Sequence, residues 1–149
     1  MKTETPVYKH KRAYFDYKIH KTWTAGIQLL GWEVKALRAY NGEINGSFCK
    51  WNGSHLQLIN GKISPLKEHM GVNPEEMRIR NLLLNKTELR QIVEGLEAKG
   101  YTCIPLKLYC NKTQLWKLDI GLVTGLKKWD KRDLIKKKDL DRASKRSEF

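Results

Sequence analysis

The sequence predicts a mainly β protein with helices, built as an antiparallel β domain with one long helix and a basic C-terminal tail. Three observations lead there. Between residues 13 and 124, apolar side chains recur mostly at every second position, the period of a half-buried strand. One segment, from Asn85 to Gly100, switches to the helical period and carries a signal at each end. Beyond Gly125 the apolar residues form no stripe, and basic residues outnumber acids two to one.

The first twelve residues hold Lys2, Lys9, Lys11 and Arg12 against a single acid, Glu4, and show no periodicity, so they are expected to form a basic arm. Residues 13–124 form the expected domain. Ala13, Phe15, Tyr17 and Ile19 share one face of a first strand, and Trp23, Ala25, Ile27 and Leu29 share one face of a second. A short helix is expected from Trp32 to Ala39, with Trp32, Ala36 and Ala39 facing one way and Glu33 and Arg38 others. Ser47–Trp51 and Ser54–Ile59 flank Asn52-Gly53, the pair that supplies the two positive φ angles of a type I′ hairpin. The long helix starts at Asn85, an N-cap with Glu88 three residues on in a capping-box pattern. Leu89, Ile92, Val93 and Leu96 make its apolar stripe, and Gly100 fits the left-handed C′ position. Tyr101–Tyr109 and Gln114–Val123 form a last strand pair, in which Pro105, lacking an N–H, belongs at an edge or a bulge. Short strands at close spacing with one long helix point to an OB-like antiparallel β-barrel, an architecture that often binds nucleic acid.

Residues 125–149 cannot bury a face of their own. Mixed charges such as Asp133 and Lys137, spaced i, i+4, support a helix once a partner is present. The segment is therefore expected to be loose alone and helical against a partner, as basic segments that fold on RNA are.

Charge narrows the function. The chain has 149 residues, with 29 Lys and Arg against 16 Asp and Glu, a formal net charge of +13. That balance points to a polyanion, either nucleic acid or an anionic membrane surface. No run of ~18 apolar residues is present, so no spanning helix is expected. The polar, basic stretch Met1–Arg12 has no apolar signal-peptide core, and the three cysteines form no CxxC pair. Reduced thiols in a cytoplasm are the expectation. The four histidines are scattered, no zinc-ligand spacing exists, and no phosphate-binding glycine loop appears. Asp119 and Glu33 are isolated acids along the sequence, and Ser47 has no recognisable base. No catalytic residues, metal or cofactor are expected, and the protein is expected not to be an enzyme.

RNA-binding features are more concrete. Phosphate attraction is expected from Lys11 and Arg12 in the arm and from Lys35, Arg38, Arg78 and Arg80. In the tail it is expected from Lys127, Lys128, Lys131, Arg132, Lys136, Lys137 and Lys138. Trp129, set among these charges, is positioned to stack on an unpaired base, with folding back onto the barrel as the alternative. Trp32 divides between burial and base contact, and Trp23, Trp51 and Trp116 lie in strand patterns as core or barrel surface.

Five blocks, in order, resemble a known family. Gly31-Trp32-Glu33-Val34-Lys35-Ala36-Leu37-Arg38, preceded by Ala25-Gly26-Ile27, resembles the G-x-E-V-K-S-L-R segment of the SmpB (small protein B) family. Ile63-Ser64-Pro65, Arg80-Asn81-Leu82-Leu83-Leu84 and Pro105-Leu106-Lys107-Leu108-Tyr109 resemble further blocks, and Gly125, Lys127 and Asp130-Lys131-Arg132 resemble the family's tail entry. The likeness spans about residues 10 to 135. It implies an OB-like barrel that binds the tRNA-like end of transfer-messenger RNA and delivers it, with elongation factor Tu engaged through that RNA, to stalled ribosomes. By matching position, Glu33, Lys35 and Arg38 belong to the RNA-facing block. Gly125, Lys127, Asp130, Lys131 and Arg132 belong to a tail that enters the decoding centre and the empty mRNA channel of the small subunit. A cytoplasmic monomer with no membrane partner is the accompanying expectation.

The chain also departs from the family's pattern. His10 stands where Asn is usual, Thr24 where an acid precedes Ala-Gly, and both family positions are associated with RNA binding. Leu126 replaces the first Lys of Gly-Lys-Lys, Trp129 stands for His or Tyr, Lys62 for His, and Glu75 and Glu76 fall in a normally basic stretch. Three rivals stay open: a ribosome-binding factor that no longer depends on transfer-messenger RNA, an RNA-modifying enzyme, and a general single-strand binder.

Overall fold

A computed structural model describes residues 6–66 and 75–125. In chain order the elements are β1 (Tyr8–Lys9), α1 (Ala13–Asp16), β2 (Tyr17–Ile27), α2 (Gly31–Arg38), β3 (Gly42–Glu43) and β4 (Phe48–Trp51). They continue with β5 (Leu56–Ile59), β6 (Lys62–Ile63), β7 (Arg80–Leu83), α3 (Lys86–Glu97), β8 (Tyr101–Cys110) and β9 (Trp116–Gly125). Seven strands are hydrogen-bonded in the order β1-β8-β4-β5-β7-β2-β9, and β8 also pairs β9, so six of them close into an OB-like ring, with β1 pairing further along the β8 edge that meets β4. All these pairings are antiparallel. β3 and β6 form a separate two-stranded ribbon.

The ring is uneven. Long β2, β8 and β9 make a continuous wall. The opposite side, β4-β5-β7, joins that wall through Gly26↔Leu83 and Ile27↔Leu82 at one seam and the single register pair Cys49↔Cys103 at the other. The core fills the ring with Trp23, Leu37, Leu56, Leu58, Cys103, Leu118 and Ile120. Ala13, Ile104, Leu106 and Val123 form a smaller cluster.

Helix α3 follows its expected pattern at its start. Asn85 Oδ1 accepts the Glu88 N–H at 2.8 Å, the N-cap half of the capping box. Ile92 is fully buried, and Leu89 and Leu96 pack on the core at their edges. Gly95 leaves no room for a side chain, since a Cβ there would lie 2.5 Å from Leu122 Cδ2. Gly100 has the positive φ expected of it, 87°, but one residue past the C′ position, because Ala98 already leaves the helix in extended geometry. Pro105 sits at a bulge, where the β8–β9 register shifts between Pro105 and Lys107.

Several expectations need correction. The strand placed at Ala13–Ile19 begins as α1, a single helical turn in which the Phe15 and Asp16 N–H groups bond back to the Arg12 carbonyl and Arg12 pairs with Asp16 at 3.1 Å. Alternating aromatics read the same in one helical turn as in a strand this short. The two expected strands are otherwise one, β2, with a register shift between Ile19 and Lys21. The Asn52-Gly53 turn is a four-residue loop, since Trp51 pairs with Leu56. Only Gly53 takes a positive φ. Asn52 Oδ1 accepts the N–H groups of Ser54 and His55 at 2.8 and 2.7 Å, so the side chain replaces the backbone geometry of a type I′ turn. Helix α2 buries Glu33, Ala36 and Leu37, while Trp32 is half-buried against the core and Ala39 is exposed. The cause is the carboxylate's partners, which lie inside.

Replacing Asn85 with Ala removes the cap of α3 and should lower stability by about 1 kcal/mol in chemical denaturation, with an unchanged m-value.

Candidate nucleic-acid interface

The chemistry of α2 begins with a charge in the interior. Glu33 is the third residue of the helix and reaches back to accept the Leu30 N–H at 2.7 Å. Its carboxylate is closed off from water and lies between two guanidinium groups. Arg78 Nη2 donates to Oε1 at 2.6 Å, and Arg80 Nε donates to Oε2 at 2.7 Å. Arg80 is itself fully buried and spends its other donors on the carbonyls of Gly61 at 2.7 Å and Glu76 at 3.1 Å. Arg78 is 28% exposed and also donates to the Gln28 carbonyl at 3.3 Å. Burial alone would push the Glu33 carboxyl up. The hydrogen bonds from Arg78, Leu30 and Arg80, together with the Arg80 charge, outweigh that and hold it below its ordinary value. Burial likewise pulls Arg80 down, opposed by the charge of Glu33. Two cations thus meet the Glu33 carboxylate, with the Glu75 charge also acting on Arg80, and the exposed guanidinium of the cluster is Arg78.

A second region lies around β1, β2, β8 and β9. A cleft of about 880 Å³ is lined by Lys9, His10, Lys11, Tyr14, Lys107 and Asp119, among others. Tyr14 is 66% exposed at its rim. The Lys107 ammonium stands 5.0 Å from the Tyr109 ring centroid. Asp119 Oδ1 accepts from Thr24 Oγ1 at 2.9 Å and from the Tyr109 hydroxyl at 3.2 Å. Burial, then the nearby Asp119 charge, pushes the Tyr109 phenol up, so it stays a donor. His10 Nδ1 is buried and has no hydrogen-bond partner. Its backbone N–H is held by the Leu106 carbonyl at 2.9 Å.

The sequence-predicted residues occupy different settings, and Arg78 is half-buried against Glu33. Lys11, Arg12, Lys35 and Arg38 are exposed, with Arg12 paired to Asp16 and 4.9 Å from the Phe15 ring centroid. Glu33 and Arg80 lie beneath the surface, where their groups are spent on each other and on backbone; they position Arg78 and have no free face for a phosphate. Gly125 ends β9 in an exposed position. Lys127, Lys128, Trp129, Asp130, Lys131, Arg132, Lys136, Lys137 and Lys138 lie outside the described residues. Of the tryptophans, Trp23 and Trp116 are buried and Trp32 and Trp51 half-buried. Neither Glu33 nor Asp119 is isolated once folded. Lys9, Lys107, Tyr109 and Asp119 escaped sequence reasoning as a group because they come from three strands, and only the register brings them together. Among the described residues no group of three His, Cys, Asp or Glu could hold a metal, and no helix is long and apolar enough to cross a membrane.

Known proteins resemble the chain along nearly all its length. The family model for SmpB protein matches residues 7–148. An SsrA-binding protein of Flavobacterium johnsoniae is 44% identical over 140 residues, covering 91% of this chain and 93% of the relative. One from Thermus thermophilus is 41% identical, covering 93% of this chain and 96% of the relative. Among solved structures, a chain described as "tmRNA-SmpB: a journey to the center of the bacterial ribosome" aligns with a TM-score of 0.69 and 38% identity, covering 87% of this chain and 94% of the other.

Removing the Glu33 carboxylate leaves Arg80 buried and uncompensated, so Glu33→Ala should cost about 3–5 kcal/mol. In a double-mutant cycle, adding Arg80→Leu should recover part of that loss. The depressed Glu33 pKa gives stability that is fully present above the ordinary carboxylate range and is lost as pH falls through the folded value. Glu33→Gln should therefore flatten the acid limb of a stability-against-pH curve.

Proposed function

Since this chain belongs to the SmpB family, we propose that it binds the tRNA-like domain of transfer-messenger RNA and brings it to stalled ribosomes. The names of its relatives carry this reading: proteins about 40% identical over most of their length are SsrA-binding proteins. The exposed cations on α2 and around the β1–β8 cleft support it. Folded RNA gives side chains little access to base edges, so recognition rests on backbone and shape.

In this reading Lys11, Arg12, Lys35, Arg38 and Arg78 meet phosphates, while Glu33 and Arg80 fix the α2 block from below. The tail, from Gly125 through Lys127, Lys128, Trp129, Asp130, Lys131 and Arg132 to Lys136, Lys137 and Lys138, enters the decoding centre and the vacant mRNA channel. Ordering ~15 tail residues costs roughly 1 kcal/mol each, which ribosomal RNA contacts must offset. Elongation factor Tu is engaged through the RNA, and the protein works as a cytoplasmic monomer without catalysing a reaction.

His10 and Thr24 favour one other reading, a ribosome-directed factor that works without transfer-messenger RNA. A binding titration against the tRNA-like domain, with ordinary tRNA as competitor, decides between the two. Affinity that survives the competitor supports the proposal; equal affinity for both RNAs supports the alternative. Lys35→Ala and Arg38→Ala should each flatten the log–log salt dependence by roughly 0.7–0.9 if each side chain neutralises one phosphate. Truncation after Gly125 should spare binding to the isolated RNA and abolish rescue in a reconstituted translation assay. Loss of RNA binding on truncation would refute the division of labour between domain and tail.

A further inference from the structure

One row of side chains crosses the β1–β8–β9–β2 surface. Lys9 is the register partner of Lys107, Lys107 of Asp119, and Asp119 of Thr24. Residues directly opposite one another in antiparallel strands project to the same side, and all four line the cleft. Two cations, a carboxylate and a hydroxyl therefore follow one another at one strand spacing, about 4.8 Å.

An ion pair between Lys107 and Asp119 would be the ordinary outcome of such a row. None of the ion pairs among the described residues involves either residue, or Lys9. The Lys107 ammonium is drawn to the Tyr109 ring instead. Thr24 and Tyr109 both donate to Asp119 Oδ1, which fixes the carboxylate. Every hydrogen bond to Asp119 among the described residues ends on Oδ1, so Oδ2 keeps its accepting capacity. An ionised carboxylate accepts only, so whatever fills this place must bring a donor. The unpartnered, buried His10 Nδ1 on the same cleft is a second polar atom lacking its complement.

We propose that Asp119 Oδ2 accepts the 2′-hydroxyl of one ribonucleotide whose phosphate rests on Lys107 and Lys9. This inference rests on the RNA-binding reading above. In an RNA chain the 2′-hydroxyl sits on the carbon next to the one that bears the 3′-phosphate, so donor and anion come as neighbours, as the acceptor and cations of the row do. A bare phosphate would be repelled from the Asp119 end, and DNA offers no donor there. Asp119 thus distinguishes ribose from deoxyribose at one position, with Thr24 and Tyr109 as its positioning residues.

The test uses the full-length protein and the tRNA-like domain of transfer-messenger RNA, with single 2′-fluoro substitutions scanned along it. Fluorine keeps the ribose pucker and removes the donor. Wild-type protein should lose roughly tenfold or more in affinity at one position, as for a hydrogen bond to a charged group. Asp119→Ala should bind the all-ribose RNA about that much more weakly and show no further loss at that position. Asp119→Asn, which keeps the shape of the side chain, is measured beside it and should show the same insensitivity. The salt slope should be unchanged in both variants, whereas Lys107→Ala should lower it by roughly 0.7–0.9. Equal losses for ribose and fluoro RNA at every position would overturn the inference. So would sensitivity to replacing guanosine by inosine in place of 2′-fluorination, which would give Asp119 a base amine. If the wild-type protein fails to prefer the domain over an ordinary tRNA, the functional reading falls; the same scan on that tRNA still decides the role of Asp119.

Discussion

The structure depends on one buried carboxylate. Glu33 stands at the start of α2 with no access to water, and such a charge is tolerable only because donors surround it: the Leu30 N–H, Arg78 and Arg80. Arg80 in turn is tolerable because its remaining donors end on the Gly61 and Glu76 carbonyls. A buried ion pair of this kind is weak evidence for net stability, since apolar side chains of similar volume often do as well. What it specifies here is position. It fixes α2 against β7 and against the turn after β5, so the exposed Lys35 and Arg38 are presented from a helix that has one way to sit.

This dependence explains how far the sequence was legible. Strand content, the cap at Asn85, the bulge at Pro105 and the position of α2 along the chain all follow from local chemistry, and local patterns found them. The orientation of α2 did not follow. A helix read by hydrophobicity alone turns Trp32 and Ala39 inward and its carboxylate outward. The carboxylate faces in because its partners, forty-odd residues further on, are there to meet it. Likewise the hairpin at Asn52-Gly53 was legible as a hairpin but not in its loop length, because an Asn side chain that accepts two N–H groups relieves the backbone of the positive φ that the dipeptide usually signals.

The candidate interface shows the same division. The exposure of Lys11, Arg12, Lys35 and Arg38 was legible because their charge lies in recognisable segments. Asp119 looked isolated because it pairs through register: Thr24 is its partner across β2–β9, and Tyr109 reaches it from β8. A period-2 pattern tells which face a residue occupies but not which residue of another strand stands beside it. The family resemblance supplied the order of the blocks and the functional expectation. It did not supply the contacts that this chain makes at positions 10 and 24.

The long pairing of β2 with β9 has a consequence for how the molecule comes into being. Tyr17 lies opposite Gly125 and Gly26 opposite Lys117, so the first long strand finds its main partner in the last. Contacts that distant in sequence are slow to form, because loop closure must precede any gain from packing. During synthesis β2, with Trp23, Ala25 and Ile27, waits with its apolar face unpaired until nearly the whole domain has been translated. Folding of this wall is therefore a late event in translation. The nascent chain passes most of its synthesis in a state that aggregation or proteolysis can reach, and the hydrophilic, strongly cationic character of the polypeptide is then as much a protection for its unfinished form as a property of the finished one.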